Sequence, residues 1–160
     1  MKTSYWYITG ALILTYLIMG TNKAFAKITE NQNIRGCDAF GCGTFGASRG
    51  TRTHNGIDIV SLPSQSIFSP ITGEVTRFPF PYGSDLSYTG IEIVNFEYKI
   101  KIFYVTPVVK IGTQVNKGQL IAKSQNIASK YGSSMTNHVH IEVYKKQGIN
   151  WVLIDPTNLF

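Results

Sequence analysis

Short runs of β-prone residues alternate with turn residues along most of the chain. Beyond residue 26, apolar side chains do not recur at the three- or four-residue spacing of a long amphipathic helix. Runs rich in Ile, Val, Phe and Tyr are instead separated by Gly, Pro and Asn. They cover residues 57–61, 73–78, 91–96, 99–105, 119–123, 138–145 and 151–154. The pattern predicts one all-β domain whose neighbouring strands are antiparallel.

The connections between these runs differ in length and character. Glu97-Tyr98 and Lys146-Gln147-Gly148 are short enough to close hairpins. Residues 78–90 form a long connection rich in aromatic residues, Pro and Gly, which is either a wall of a binding groove or a surface loop packing its own rings. Residues 27–53 are polar and Gly-rich, and they predict an irregular segment.

The run that begins at His138 has a clear period of two. As a strand it places His138, His140 and Glu142 on one face, and the Val and Ile residues between them on the other. One face is therefore apolar and suited to the core, while the other carries two imidazoles and a carboxylate. A solvent-facing strand more often presents Lys, Thr or Ser there.

The chain has only three histidines, and the third one, His54, lies four residues before Asp58. Histidine is the commonest metal-ligating side chain, and His with carboxylate is a known zinc ligand combination. Gly56 gives the backbone freedom to turn His54 towards Asp58. We therefore expect both side chains to converge on one ion, with a third ligand from a neighbouring strand. The alternatives are surface histidines and an Asp58 that only caps a turn.

Residues 1–26 read as a secretory signal peptide. Lys2 precedes an uncharged apolar stretch, and Ala24-Phe25-Ala26 fits the small-x-small cleavage pattern. The alternative is an uncleaved membrane anchor, because residues 3–22 carry no charge and nearly reach the length of a bilayer span. Cleavage predicts a secreted, extracellular domain of residues 27–160 with no stable membrane insertion.

Charge and cysteine content bear on the kind of partner and on the compartment of the protein. The net charge of +6 falls to +4 once Lys2 and Lys23 are removed, and no run of Lys or Arg marks a nucleic-acid site. Both cysteines, Cys37 and Cys42, remain in the mature chain. An oxidising compartment favours a disulfide between them, and a thiolate metal pair is the weaker alternative.

Two motifs resemble the zinc motifs of the lysostaphin-type metallopeptidases, secreted enzymes that cut peptidoglycan cross-bridges. They are Arg52-Thr-His-Asn-Gly-Ile-Asp58 and Asn137-His-Val-His-Ile-Glu142. The chain is more similar still to the leukocyte cell-derived chemotaxins, animal secreted proteins with that fold. Residues 34–43, 101–108, 138–142 and 155–157 carry this likeness.

The resemblance implies the antiparallel sheet of the lysostaphin-type fold with long irregular loops, and a Zn²⁺ ion held by His54, Asp58 and His140. It gives His138 the acid/base role beside the metal. Three protein ligands leave a fourth position for water, whose pKa zinc lowers to about 7. Glu142 either fixes a ligand imidazole or is a plain surface carboxylate.

One departure from the active peptidases limits the expected activity. They carry a further histidine just after an aromatic residue in a central strand, and the matching stretch here is Phe103-Tyr104-Val105-Thr106. Losing one such donor typically costs about a hundredfold in rate. The chemotaxins also lack it. A second departure is that the chemotaxins have further disulfides.

Two main function hypotheses follow. The first is a secreted zinc-binding, chemotaxin-like signalling or immune-effector protein that binds an extracellular receptor or a microbial cell-wall component without efficient peptidase activity. The second is a zinc endopeptidase that cleaves peptidoglycan or Gly-rich peptides with His138 as general base. A third class, a biotinyl- or lipoyl-type carrier, would explain residues 69–75 and 115–122, but it requires a modifiable Lys at a tight hairpin tip in a motif such as Met-Lys-Met, and the chain has no such motif.

Overall fold

A computed structural model describes residues 24–160. In that range the chain forms fourteen strands and one four-residue helix. In chain order they are β1 Cys37–Asp38, β2 Gly41–Cys42, β3 Ser48–Arg49, β4 Arg52–Thr53, β5 Ile57–Val60, β6 Ser66–Phe68, β7 Gly73–Arg77, β8 Gly90–Val94, β9 Tyr98–Phe103, β10 Val105–Pro107, β11 Gln114–Val115, β12 Leu120–Ser124, α1 Ala128–Tyr131, β13 His138–Gln147 and β14 Asn150–Ile154. The predicted all-β class is confirmed.

A seven-stranded antiparallel sheet is organised around β13. Its main order is β11-β7-β8-β9-β13-β14, and β5 pairs with β13 as well. The first half of β13 pairs with β5 and the second half with β14, while β9 runs along the opposite side. Both predicted hairpins, β8–β9 and β13–β14, are present. The longest strand therefore connects the predicted site residues His138 and His140 to the rest of the sheet.

A second, three-stranded antiparallel sheet of order β10-β12-β6 completes the core. Ile67, Val105 and Ile121 from this sheet are fully buried in the same cluster as Ile102 and Ile141 from the large sheet. Burying one such side chain stabilises the fold by roughly 1.5–3 kcal/mol. The apolar faces of both sheets therefore form the core, and the opposite face of the large sheet carries polar side chains.

The hydrophobic pattern of the sequence did not predict three of the strands that form the two main sheets. They are β6, β10 and β11, each of only two or three residues. Each buries just one large side chain, so the alternation of apolar and polar residues is too short to predict a strand. Boundaries of the predicted strands differ from the structure by at most two residues at either end.

The predicted irregular segment, residues 27–53, contains two very small hairpins. β1 pairs with β2, and β3 pairs with β4. Cys37 and Cys42 lie opposite each other in the first hairpin and form the expected disulfide. The thiolate metal pair is therefore ruled out.

The start of the described chain packs onto the domain. Phe25 is buried between the rings of Tyr98 and Phe160, with ring centroids 4.9 and 5.4 Å away. Its backbone N–H donates to the carbonyl of Leu159. The predicted signal peptide and the alternative anchor lie almost wholly outside the described residues, so both stay predictions. Within residues 24–160, no helix is long and apolar enough to span a membrane.

Candidate metal centre

The pairing of β5 with β13 brings the predicted site together. Asp58 lies directly opposite His140, so both side chains project from the same face of the large sheet. His54 reaches that face from the loop before β5. Gly56 makes this possible for a reason the sequence did not reveal: an added Cβ would stand 2.0 Å from the carbonyl oxygen of Ile141. Close approach of two backbones, more than backbone freedom, requires glycine there.

Three ligand atoms form a small triangle. His54 Nε2 lies 3.1 Å from Asp58 Oδ1 and 2.9 Å from His140 Nδ1. His140 Nδ1 lies 2.9 Å from the same carboxylate oxygen. Ligands of a tetrahedral zinc ion with bonds of about 2.0–2.1 Å are about 3.3 Å apart. The triangle is therefore close to the size that a shared ion requires.

The outer nitrogens of both imidazoles face acceptors. His54 Nδ1 lies 2.8 Å from the carbonyl oxygen of Thr44, and His140 Nε2 lies 3.7 Å from Glu142 Oε1. Protons on these outer nitrogens direct the lone pairs of the inner nitrogens at each other. Two such lone pairs at 2.9 Å repel unless a cation lies between them. The donor set therefore fits Zn²⁺ in chemistry as well as in size.

A buried arginine supports the carboxylate from behind. Arg35, 3% exposed, places Nε 3.2 Å and Nη2 2.9 Å from Asp58 Oδ2, which leaves Oδ1 facing the imidazoles. The guanidinium also donates to the carbonyl of Gly41 and pairs with Asp38, both on the disulfide hairpin. Burial alone raises the pKa of Asp58, but the His140 and His54 imidazoles beside its carboxylate lower it far below its usual range.

Glu142 continues the same strand face and has three partners. Lys101 Nζ lies 3.1 Å and the Tyr144 hydroxyl 2.7 Å from its Oε2. Burial raises the pKa of Glu142, but the nearby His140 imidazole and the hydrogen bonds from Tyr144 and Lys101 outweigh burial and lower it to about 2. Burial likewise lowers the pKa of His140, but Asp58 and Glu142 raise it overall. Glu142 therefore lies beside the His140 imidazole and is held by Lys101 and Tyr144, so it is not a free surface carboxylate.

His138 stands beside the triangle but outside it. Its Nδ1 lies 2.6 Å from the Thr136 carbonyl, so a proton there leaves Nε2 unprotonated, 3.8 Å from Asp58 Oδ1. Burial lowers the pKa of His138, which favours the neutral imidazole. Tyr104 packs edge-on against this ring, with centroids 5.5 Å apart. A neutral imidazole with a free nitrogen facing the site is suited to accept a proton.

Tyr104 belongs to the stretch of residues 103–106, in which the active peptidases are expected to carry a further histidine, and it is the residue of that stretch that packs on His138. It has a φ of 63°, a left-handed conformation that costs a non-glycine residue about 1–3 kcal/mol. The Tyr131 hydroxyl donates to that of Tyr82, which donates to that of Tyr104. A hydrogen-bonded row of tyrosines therefore ends against His138.

The site lies at the bottom of an open cleft of about 500 Å³. Phe80, Pro81 and Tyr82 of the long connection line one part of it, so this loop forms a wall. Arg49 and Arg52 from the β3–β4 hairpin line another part. The cleft offers both cationic and aromatic contacts around the candidate metal position.

The comparison with protein families agrees with this geometry. The model of peptidase family M23 matches residues 52–156, which include His54, Asp58, His138 and His140. The chain belongs to peptidase family M23. Leukocyte cell-derived chemotaxin-2 from Bos taurus is 28% identical to this M23 chain over 156 residues, covering 94% of the chain and 97% of the relative. The sequence resemblance to chemotaxins is therefore confirmed.

Solved structures of two bacterial peptidases share the fold. The antimicrobial peptidase lysostaphin from Staphylococcus simulans has a TM-score of 0.58 at 18% identity, covering 84% of this chain and 51% of its own. A zinc-containing peptidase from Vibrio cholerae has a TM-score of 0.53 at 23% identity, covering 82% and 39%. The predicted lysostaphin-type fold is thereby confirmed.

Sequence reasoning anticipated His54, Asp58, His138, His140 and Glu142, and the structure brings all five together. It missed the role of Arg35 and the tyrosine row. Arg35 stands in a stretch that carried the family resemblance, but its partner is 23 residues away, so no local pattern indicates the contact.

Proposed function

We propose that this M23 chain is a secreted zinc-binding, chemotaxin-like signalling or immune-effector protein without efficient peptidase activity. In this proposal Zn²⁺ is held by His54, Asp58 and His140, and it mainly ties the His54 loop to β13. The partner is an extracellular receptor or a microbial cell-wall component. The likeness to chemotaxin-2 along nearly the whole chain and the disulfide support an extracellular role.

The observation that carries the proposal is the pairing of Tyr104 with His138. The candidate ligand atoms lie close together, but the side chain packed on His138 is a phenol, and the stretch of residues 103–106 contains no histidine. Burial raises the pKa of the Tyr104 hydroxyl, so it stays neutral at physiological pH. It can donate one hydrogen bond but cannot supply the positive charge of an imidazolium to a developing oxyanion.

Zinc content tests the metal assignment. Purified protein should contain about one zinc per chain by mass spectrometry, and His54→Ala should lose it. Arg52→Ala, in the same cleft but outside the triangle, is the matched control and should keep its zinc. Equal zinc in wild type and His54→Ala would overturn the ligand set.

A gain-of-function variant tests the reason given for low activity. Tyr104→His should raise cleavage of a pentaglycine peptide by about a hundredfold or more over wild type. Histidine is among the residues that tolerate the left-handed conformation of position 104. No gain in a folded, zinc-loaded variant would show that the missing imidazole is not what limits the wild type.

The second candidate is a working zinc endopeptidase with His138 as general base. The unprotonated Nε2 of His138, directed at the site, favours it. Incubation of the wild type with peptidoglycan is the discriminating assay. Cleavage that is abolished in His138→Ala, with zinc retained, would establish this function and contradict the first.

A further inference from the structure

The polar face of the large sheet continues beyond the metal cleft. Along β13, Tyr144 and Lys146 follow Glu142 at alternate positions and so share its face. The register places Lys99 of β9 opposite Tyr144, and Trp151 of β14 opposite Lys146. We call this surface the basic face; its members are Arg77, Lys99, Lys101, Tyr144, Lys146 and Trp151. It adjoins the cleft at Glu142, which contacts both His140 and Lys101.

Ammonium groups and aromatic rings alternate on the basic face. Lys99 Nζ lies 4.9 Å from the ring centre of Tyr144 and 5.2 Å from that of Trp151. Lys146 Nζ lies 4.7 Å from the same indole. Two cations are therefore held beside one tryptophan, and cation–π contact leaves their other N–H groups free to bind an anion.

Two of the four cations on this face are neutralised and two are not. Arg77 pairs with Glu92, and Lys101 pairs with Glu142. Across residues 24–160, Lys99 and Lys146 have no carboxylate within 4.0 Å. Burial lowers the pKa of Lys99. The negative charge of Glu92 raises it, but the positive charges of Lys101, Arg77 and Lys146 lower it, and the net shift is downward. A bound anion would relieve this repulsion.

Sugars carrying acidic groups match this combination of side chains. The apolar face of a pyranose ring stacks on an indole, ammonium groups bind sulfate or carboxylate, and Glu142 can accept hydrogen bonds from hydroxyls. We propose that the basic face binds an acidic polysaccharide, with sugar rings on Trp151 and anionic groups at Lys99 and Lys146. This inference deepens the proposed function, because it names the chemical class of the extracellular surface.

Other polyanions fit the face less well. Nucleic-acid sites cluster Lys and Arg to match closely spaced phosphates, whereas this face interleaves two carboxylates with four cations. An acidic peptide would use the lysines but would gain no stacking contact on the indole. The aromatic contact is therefore what favours a sugar polymer.

The test uses a heparin hexasaccharide as the probe. Trp151 is the single tryptophan beyond residue 23, so its fluorescence reports contact at the proposed place. Titration of the secreted protein should change this fluorescence, and calorimetry should give a dissociation constant that weakens as salt rises. Dextran, poly-glutamate and a DNA 20-mer are the comparison ligands and should bind at least tenfold more weakly.

Two double variants, each lacking two lysine charges, distinguish binding at the basic face from nonspecific electrostatic attraction of the hexasaccharide. Lys99→Gln with Lys146→Gln should weaken binding of the hexasaccharide at least tenfold. Lys27→Gln with Lys110→Gln alters exposed lysines elsewhere and should stay within twofold of wild type. Trp151→Leu, followed by calorimetry, should also weaken binding at least fivefold. Lys146 is exposed, so Lys146→Gln alone serves if the double variant does not fold.

The outcomes are distinct. The proposal would be overturned if both double variants weakened binding equally, or if poly-glutamate bound as tightly as the hexasaccharide. Either result would show that binding depends only on net charge. Tighter binding of the DNA would identify a nucleic-acid surface instead. The titration is repeated on zinc-free His54→Ala, which should bind the hexasaccharide as wild type does. If the hexasaccharide does not bind, this inference fails, while the zinc and peptidase assays still test the proposed function separately.

Discussion

At the scale of single residues, the candidate site depends on how the second oxygen of Asp58 is held. Arg35 contacts only Oδ2, through two of its nitrogens, and so leaves Oδ1 to face His54 and His140. The carboxylate and the guanidinium are both almost completely buried. Removing one partner of a buried ion pair is far more costly than removing an exposed one, because the remaining charge is unpaired.

Arg35→Met should therefore reduce both stability and metal binding. We expect the free energy of unfolding of the zinc-free protein to fall by about 3 kcal/mol, measured by urea titration. Zinc affinity, measured by competition with a chelator, should weaken about 10- to 100-fold. Arg52→Met is the control and should change neither quantity. Tighter zinc binding in Arg35→Met would contradict the positioning role.

Glu142 should make the zinc-free protein sensitive to acid. Its pKa is lowered from 4.5 to about 2 in the folded state, so its stabilisation is present above the unfolded pKa and is lost as pH falls from about 4.5 to about 2. We expect a contribution of about 2 kcal/mol. In EDTA, Glu142→Gln should show a flatter decline of unfolding free energy over that range; a decline parallel to wild type would contradict this.

At the scale of elements, the site is built where β13 changes neighbours. Its first residues pair with β5 and its later ones with β14, so the candidate metal ligands lie where β13 pairs with β5. Gly56 lets the His54 loop pass close to β13, where a Cβ would also stand 2.9 Å from His140 Cε1. Backbone atoms on both sides leave little room for adjustment.

Gly56→Ala should separate these two segments. We expect a loss of at least about 2 kcal/mol in unfolding free energy, together with weaker zinc binding. Gly36→Ala is the matched control, since an added Cβ there meets nothing within 4 Å. Chemical denaturation and zinc competition measure the two effects. Normal zinc affinity in Gly56→Ala would show that the close approach is not needed for the site.

At the scale of the whole molecule, the two ends of the described chain meet. Phe25 packs between Tyr98 and Phe160, and its N–H bonds to Leu159. The predicted cleavage after Ala26 would remove this ring from the domain. Protein that starts at Ala24 should therefore be more stable than protein that starts at Lys27, by about 2–3 kcal/mol. Urea unfolding of both forms measures this, and equal midpoints would contradict it; mass spectrometry of secreted protein locates the natural end.

Most of the fold and of the candidate site was predictable, because both rest on local patterns. Alternation along residues 138–145 predicted the central strand and the face that carries His138, His140 and Glu142. The spacing of His54 and Asp58 predicted their convergence. Strands β6, β10 and β11 were not predictable, since each buries a single large side chain and depends on its neighbours for pairing.

The sequence by itself determined the all-β class, the disulfide, the family and the ligand types, because residue identity and short-range periodicity carry that information. Only the tertiary structure decided which groups surround those ligands. Arg35 behind Asp58, Tyr104 against His138 and two lysines beside Trp151 all join residues from different elements. Such contacts depend on strand register and on how the loops return to the sheet, and local sequence patterns predict neither.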